Sequence, residues 1–176
     1  MHGVVKNLDP RHLIPDMKVV QIAGSLEGIT NPLYDELDLV RKVAQLYGCE
    51  YRCLLLPFVA ESREQKEAFM ARANTREVFE CAKDINIFCT SVGTLAQWAG
   101  HLETKEIASL KKQGAVGCIA GYFYDINGRL LRTSLDDRLI RADSGVFRTA
   151  QHRICVTSDH FKANALLGAL RGGLIN

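Results

Sequence analysis

The sequence predicts an α/β fold built on a mostly parallel sheet. Short apolar runs alternate with amphipathic helical segments, glycine loops close several of the runs, and the alternation recurs along the chain. That order is what successive βαβ units require, with crossover helices lying on both faces of the sheet. At 176 residues, 47% hydrophobic and 24% charged, the chain can bury a sizeable core and suits one domain.

The first predicted strand is KVVQIAG, Lys18 to Gly24, which ends in a glycine loop. The following helix has Asn31 as its cap, Pro32 at its first position and Gly48 as its stop. Leu33, Leu37, Val40, Val43, Ala44 and Tyr47 form its apolar face at helical spacing. EYRCLLLP is the second strand, ended by Pro57. Glu61 to Lys83 is a charge-rich helical stretch, and Asn74-Thr75 offers a cap that would divide it into two helices.

INIFCTSVG, Ile85 to Gly93, reads as a third buried strand closing on glycine. ETKEIASLKKQG is a short helix capped by Thr104 and stopped by Gly114. GYFYDINGRLLRTSL is a pair of strands around Asn127-Gly128, a strong hairpin signal. RICVTS is a further strand, and DHFKANALLGALRGG is a final helix capped by Asp159 and ended by Gly172-Gly173. The closing LIN reads either as the start of a strand that is cut short or as Leu174 and Ile175 docking on the core.

Charge and cysteine usage narrow the function classes. The net charge is +2, with 22 basic residues spread along the chain, so no dense basic patch marks a nucleic-acid binder. Six cysteines stand at 49, 53, 81, 89, 118 and 155. Only Cys49 and Cys53 are close, and no second pair completes a zinc pattern. Free thiols fit a reducing cytoplasm. The N-terminus has no apolar run of signal-peptide length, and no stretch is long enough to span a membrane.

Three segments fall at the carboxyl ends of predicted parallel strands, where such sheets take their ligands. GSLEGITN, from Gly24 to Asn31, is either an ordinary βα loop or an approach for an anion to backbone N–H groups, helped by Gly24 and Gly28. GAVGCIAGYFYD, from Gly114 to Asp125, either wraps a ligand closely or makes a tight packing corner. SDHFK sets Lys162 in the first turn of the last helix, as a phosphate-binding cation or a solvated surface lysine, while Asp159 at the cap opposes an anion there. TSVGT is not a nucleophile elbow, His101, His152 and His160 lack metal-ligand spacing, and Trp98 reads as loop packing. Neither a catalytic set nor a metal site emerges.

Taken in order, VVQIAGSLEGITNP, YRCLLLPFVAES, LKKQGAVGCIAGYFYDINGRLL and KANALLGALRGGLIN resemble the SorC family of bacterial sugar-responsive transcription regulators. The likeness runs from about Val19 to Asn176. It implies a Rossmann-like three-layer α/β/α sandwich of the kind found in sugar-phosphate isomerases and deaminases. It further implies a non-catalytic domain without cofactor, cytoplasmic and homo-oligomeric, whose phosphosugar or sugar effector shifts the regulator's affinity for DNA. The ligand contacts it implies are Gly24, Ser25, Gly93, Gly117, Gly121, Phe123 and Lys162, the lysine meeting a phosphate or a sugar hydroxyl.

The chain departs from the family at Cys118, where an aspartate would accept sugar hydroxyls, and at Ser158 and Asp159, where glycines are usual. Ile87 to Trp98 aligns loosely. By the same resemblance residues 1–176 form one incomplete effector domain. Its helix-turn-helix, its first strand and the segment after Asn176 are missing, and MHGVVKNL is the helix trailing that strand. DNA is then reached only through an absent N-terminal domain. Two rival readings stay open: an isomerase- or deaminase-like enzyme using Cys118 and Asp159, and a degenerate remnant that only oligomerises.

Overall fold

The computed structural model describes residues 2–25, 36–98 and 100–176. Seven helices and six strands alternate among the described residues: α1 (His2–Lys6), β1 (Lys18–Val20), α2 (Glu36–Tyr47), β2 (Glu50–Arg52), α3 (Arg63–Met70), α4 (Ala73–Ala82), β3 (Ile87–Thr90), α5 (Thr104–Lys112), β4 (Ala115–Ile119), β5 (Tyr122–Asp125), α6 (Ser144–Thr149), β6 (His152–Cys155) and α7 (Ala163–Arg171). The α/β class holds, with parallel pairing between β1 and β2 and between β3 and β6, and antiparallel pairing between β4 and β5. The chain divides into two compact units, Met1–Asp84 with Arg138–Ala142, and Ile85–Asp137 with Asp143–Asn176.

In the first unit, α1 falls on the segment expected to be helical at the N-terminus. Gly48, with φ +67°, ends α2 as expected, and the Cys49 N–H closes the helix on the Ala44 carbonyl. The predicted start of this helix at Asn31 and Pro32, its apolar residue Leu33, and the loop glycine Gly28 lie outside the described residues.

The charge-rich stretch is two helices, but the break is at Ala71–Arg72 rather than Asn74-Thr75. Ser62 caps α3 by accepting the Gln65 N–H. Asn74 sits inside α4 and spends its carbonyl on the adjacent Thr75 N–H. Leu54, Leu56, Ala60, Val78 and Ile140 form the core of this unit, with Val20, Phe69, Met70 and Phe79 against them.

Ile140 belongs to a segment that the sequence pattern does not reveal. Arg138–Ala142 bonds to the continuations of both β1 and β2. Its Ile140 N–H donates to Phe58 and its Ala142 N–H to Ile22, while its carbonyls accept from Gly24 and Ala60.

In the second unit, β3 pairs with β6 in the register Ile87↔His152 to Thr90↔Cys155. β3 is not the fully buried strand expected: Phe88 is buried, whereas Ile87 is 57% exposed and Cys89 is exposed. A parallel strand covered on only one face gives this alternation. Phe88 stacks on Phe147 of α6 at 5.1 Å, and Tyr122 meets the same ring edge-on at 5.6 Å.

β4 and β5 form a tight hairpin whose turn residues are Ala120 and Gly121, with φ of 46° and 81°. Two consecutive positive φ values define the turn that matches strand twist. Asn127-Gly128 makes a second turn, with Gly128 at φ +76° and its N–H donating to Asp125. The chain returning from it pairs only at Leu130, against Tyr124.

Glu103, not Thr104, caps α5, and the buried Glu106 accepts the Glu103 N–H at 2.9 Å. The final helix begins as a 3-10 turn, His160–Lys162, before α7 proper, and Gly172 is its C-cap. After it, Leu174 and Ile175 are buried, and Asn176 exchanges hydrogen bonds with Arg153 beside β6.

Candidate functional site

The implied ligand residues fall in both units. Gly24 and Ser25 lie in the first, while Gly93, Gly117, Gly121, Phe123 and Lys162 lie in the second.

At the end of β1 the chain needs glycine because of its own backbone. A Cβ on Gly24 would stand 2.7 Å from the Pro57 carbonyl carbon. The Gly24 amide is spent on Ile140 and the Ser25 amide on Leu56. What remains available is the Ser25 hydroxyl. The buried Gln21 side chain donates to it at 3.2 Å and accepts the Leu54 N–H at 3.2 Å. Because Ser25 accepts in this pair, its own O–H keeps its capacity to donate.

In the second unit the glycines also serve close packing. Gly117 lies under Tyr124: a Cβ there would come within 2.6 Å of the ring carbon bearing the hydroxyl and 2.8 Å of Ala165 Cβ. Gly93 exchanges both backbone hydrogen bonds with Cys118, which ties the end of β3 to β4. Gly121 supplies the second left-handed turn residue of the hairpin. Phe123 is buried and packs edge-on against Trp98, their centroids 5.5 Å apart, so Trp98 has the packing role expected of it.

Cys118 does not stand open to a crevice. It is 3% exposed, and its neighbour in the hairpin register is Phe123. The strand alternation that leaves Gly117 under Tyr124 turns Cys118 to the other face. Cys89, within the strand expected to be buried, is exposed.

Two unsatisfied hydroxyls follow β3 and β6 in the chain. The Thr94 and Thr157 hydroxyl oxygens are buried and make no hydrogen bond. Val156 continues the β6 pairing by donating to Thr90. The paired register ends at Thr90↔Cys155, two residues before Thr157 and four before Thr94. Both threonines follow strands of a parallel pair, the position that takes ligands in such sheets. Their residue types give no signal in the sequence. TSVGT and CVTSD each set hydroxyl residues directly after a strand, but only coordinates show which hydroxyls are left unsatisfied.

Lys162 is near this edge. Burial raises the Cys155 thiol above its ordinary pKa, opposed by the Val92 backbone and by the Lys162 charge. The Lys162 ammonium also lies 6.0 Å from the Phe161 ring centroid. Asp159, three residues earlier, makes no cap bond to the helix, contrary to the expected capping role. Its φ of +81° swings the loop out of the usual capping geometry, and its carboxylate accepts from the Ser158 hydroxyl at 3.1 Å.

Comparison with known proteins sets this geometry in context. The whole chain, residues 1–176, matches the family described as "Putative sugar-binding domain". It is 27% identical over 181 residues to the deoxyribonucleoside regulator of Bacillus subtilis, covering 100% of this chain and 57% of that one. It is 27% identical over 138 residues to the erythritol catabolism regulatory protein EryD of Brucella abortus, covering 76% of this chain and 43% of that one. The chain thus spans about half the length of these relatives. Its fold matches the full-length sorbitol operon regulator SorC of Klebsiella pneumoniae with a TM-score of 0.94 at 22% identity, over 99% of this chain and 58% of the other.

Proposed function

The chain belongs to the sugar-binding domain family, and from that premise we propose that it is the effector-binding part of a transcription regulator, taking a phosphorylated sugar or related carbohydrate. Effector binding shifts the larger protein between states of different affinity for DNA, which is how a ligand acts through a conformational equilibrium. The reading treats the chain as a binder rather than an enzyme, in line with relatives named as regulators.

One observation supports it most. Two buried hydroxyls without partners, Thr94 and Thr157, stand at the carboxyl edge of a parallel strand pair. A buried hydroxyl left unmade costs about 1–3 kcal/mol, which a sugar hydroxyl able to donate and accept would recover. We assign Lys162 to a charge-assisted bond with the effector. Gly93, Gly117, Gly121 and Phe123 are assigned with it in the second unit; for Gly24 and Ser25, in the first unit, only the family likeness speaks.

Titration calorimetry with a panel of sugars, polyols and their phosphates tests the proposal. At least one member binds, and Lys162→Ala weakens it by about 1.5–3 kcal/mol, the worth of a hydrogen bond to a charged group. Absence of binding across the panel contradicts it.

A further inference from the structure

The chain contains one Asn-Gly pair, Asn127-Gly128. Asparagine is a thermolabile residue, and a glycine after it puts no side chain in the way of attack by the next backbone nitrogen. In that reaction the Gly128 nitrogen bonds to the Asn127 side-chain carbonyl carbon. The side-chain nitrogen leaves as ammonia, taking the Gly128 proton, and a succinimide ring forms. Water then opens the ring at either carbonyl and leaves aspartate or isoaspartate, with no change of oxidation state.

The fold presents the asparagine and withholds the nucleophile. Asn127 is exposed, whereas Gly128 is buried. The Gly128 N–H donates to the Asp125 carbonyl at 2.9 Å, so ring closure must take a proton that is already bonded. The Asp125 carboxylate accepts from the Asn127 and Arg129 N–H groups at 2.9 and 3.0 Å, which pins the turn on both sides of Gly128. The end of α7 lies against it. Gly168 and Gly172, four residues apart, share one face of that helix. A Cβ on Gly168 would stand 2.8 Å from the Asp125 carbonyl oxygen, and one on Gly172 would stand 2.5 Å from the Gly128 carbonyl oxygen. Arg171 adds a bond of 3.4 Å to the Ile126 carbonyl. A flat ring across Asn127 and Gly128 needs their peptide plane to turn, and packing this close resists it.

We propose that Asn127 is a latent deamidation site, held closed by the C-terminal turn of α7, whose conversion records opening of that helix end. Such opening is local unfolding, and its cost sets the rate of any reaction that requires it. Isoaspartate carries the main chain through one extra carbon, so the turn no longer fits the two glycines and the record is permanent.

The test incubates the chain at mildly alkaline pH in native buffer and in urea, and follows conversion at residue 127 by peptide mass and isoaspartyl content. The folded chain is expected to convert at least tenfold more slowly than the chain in urea. Gly172→Ala, which wedges a methyl group against the turn, should convert at least fivefold faster than wild type in native buffer, with its circular dichroism unchanged. If that variant fails to fold, Arg171→Ala takes its place, with hydrogen exchange at the Gly128 amide measured beside conversion. Exchange and conversion should then rise together. Equal rates in native buffer and urea, or faster exchange at Gly128 without faster conversion at Asn127, overturns the inference.

Discussion

Single residues carry much of the account, and Tyr124 is the clearest. Its ring fills the space above Gly117, and its hydroxyl donates to the Ala165 carbonyl at 2.9 Å. Burial, with lesser contributions from Cys118 and Cys155, raises its pKa well above the ordinary tyrosine value. The folded value is the higher one, so its contribution is whole below about pH 10, the unfolded pKa, and is lost as pH rises further through the folded pKa. Tyr124→Phe should cost about 1 kcal/mol at neutral pH. Denaturation curves from pH 9 to 11 should show a shallower alkaline loss of stability in the variant than in wild type. Asp159 gives the opposite sign. Replacing it with glycine relieves about 1–3 kcal/mol of backbone strain and forfeits roughly 0.5–1 in chain entropy. A net gain of about 1 kcal/mol is expected by urea denaturation.

Among elements, the segment Arg138–Ala142 holds the first unit together. It comes from within the second unit's stretch of sequence, bonds to both strand continuations and buries Ile140 completely. Ile140→Ala should therefore cost about 2–5 kcal/mol, measured by urea denaturation.

This segment also shows where sequence reading stops. It is too short for a period, and its partners lie far away in sequence. β1, β2, β3 and β6 were legible because apolar runs mark them, and α2 and α7 because glycines end them. The Asn127-Gly128 turn was legible because asparagine and glycine tolerate its backbone. The Ala120-Gly121 turn was not, because an alanine at φ 46° carries no signal in its residue type. The same holds at the site. Glycines and Lys162 stand out in a sequence, but their amides are largely spent within the fold. The partnerless state of Thr94 and Thr157 is a property of packing alone.

At the scale of the molecule, the chain is a family domain about half as long as the relatives it matches. No helix among the described residues is long and apolar enough to cross a membrane, and none of them gather into a metal-binding group. The function rests on one physical claim: the carboxyl edge of the β3–β6 pair holds carbohydrate. Amide chemical shifts of the labelled chain, followed while ribitol and glucitol are added, test it most directly. The account predicts perturbations gathered at Ser91–Thr94, Gly117–Phe123 and Val156–Lys162. Shifts confined to other segments, or none at saturating polyol or sugar phosphate, would contradict it.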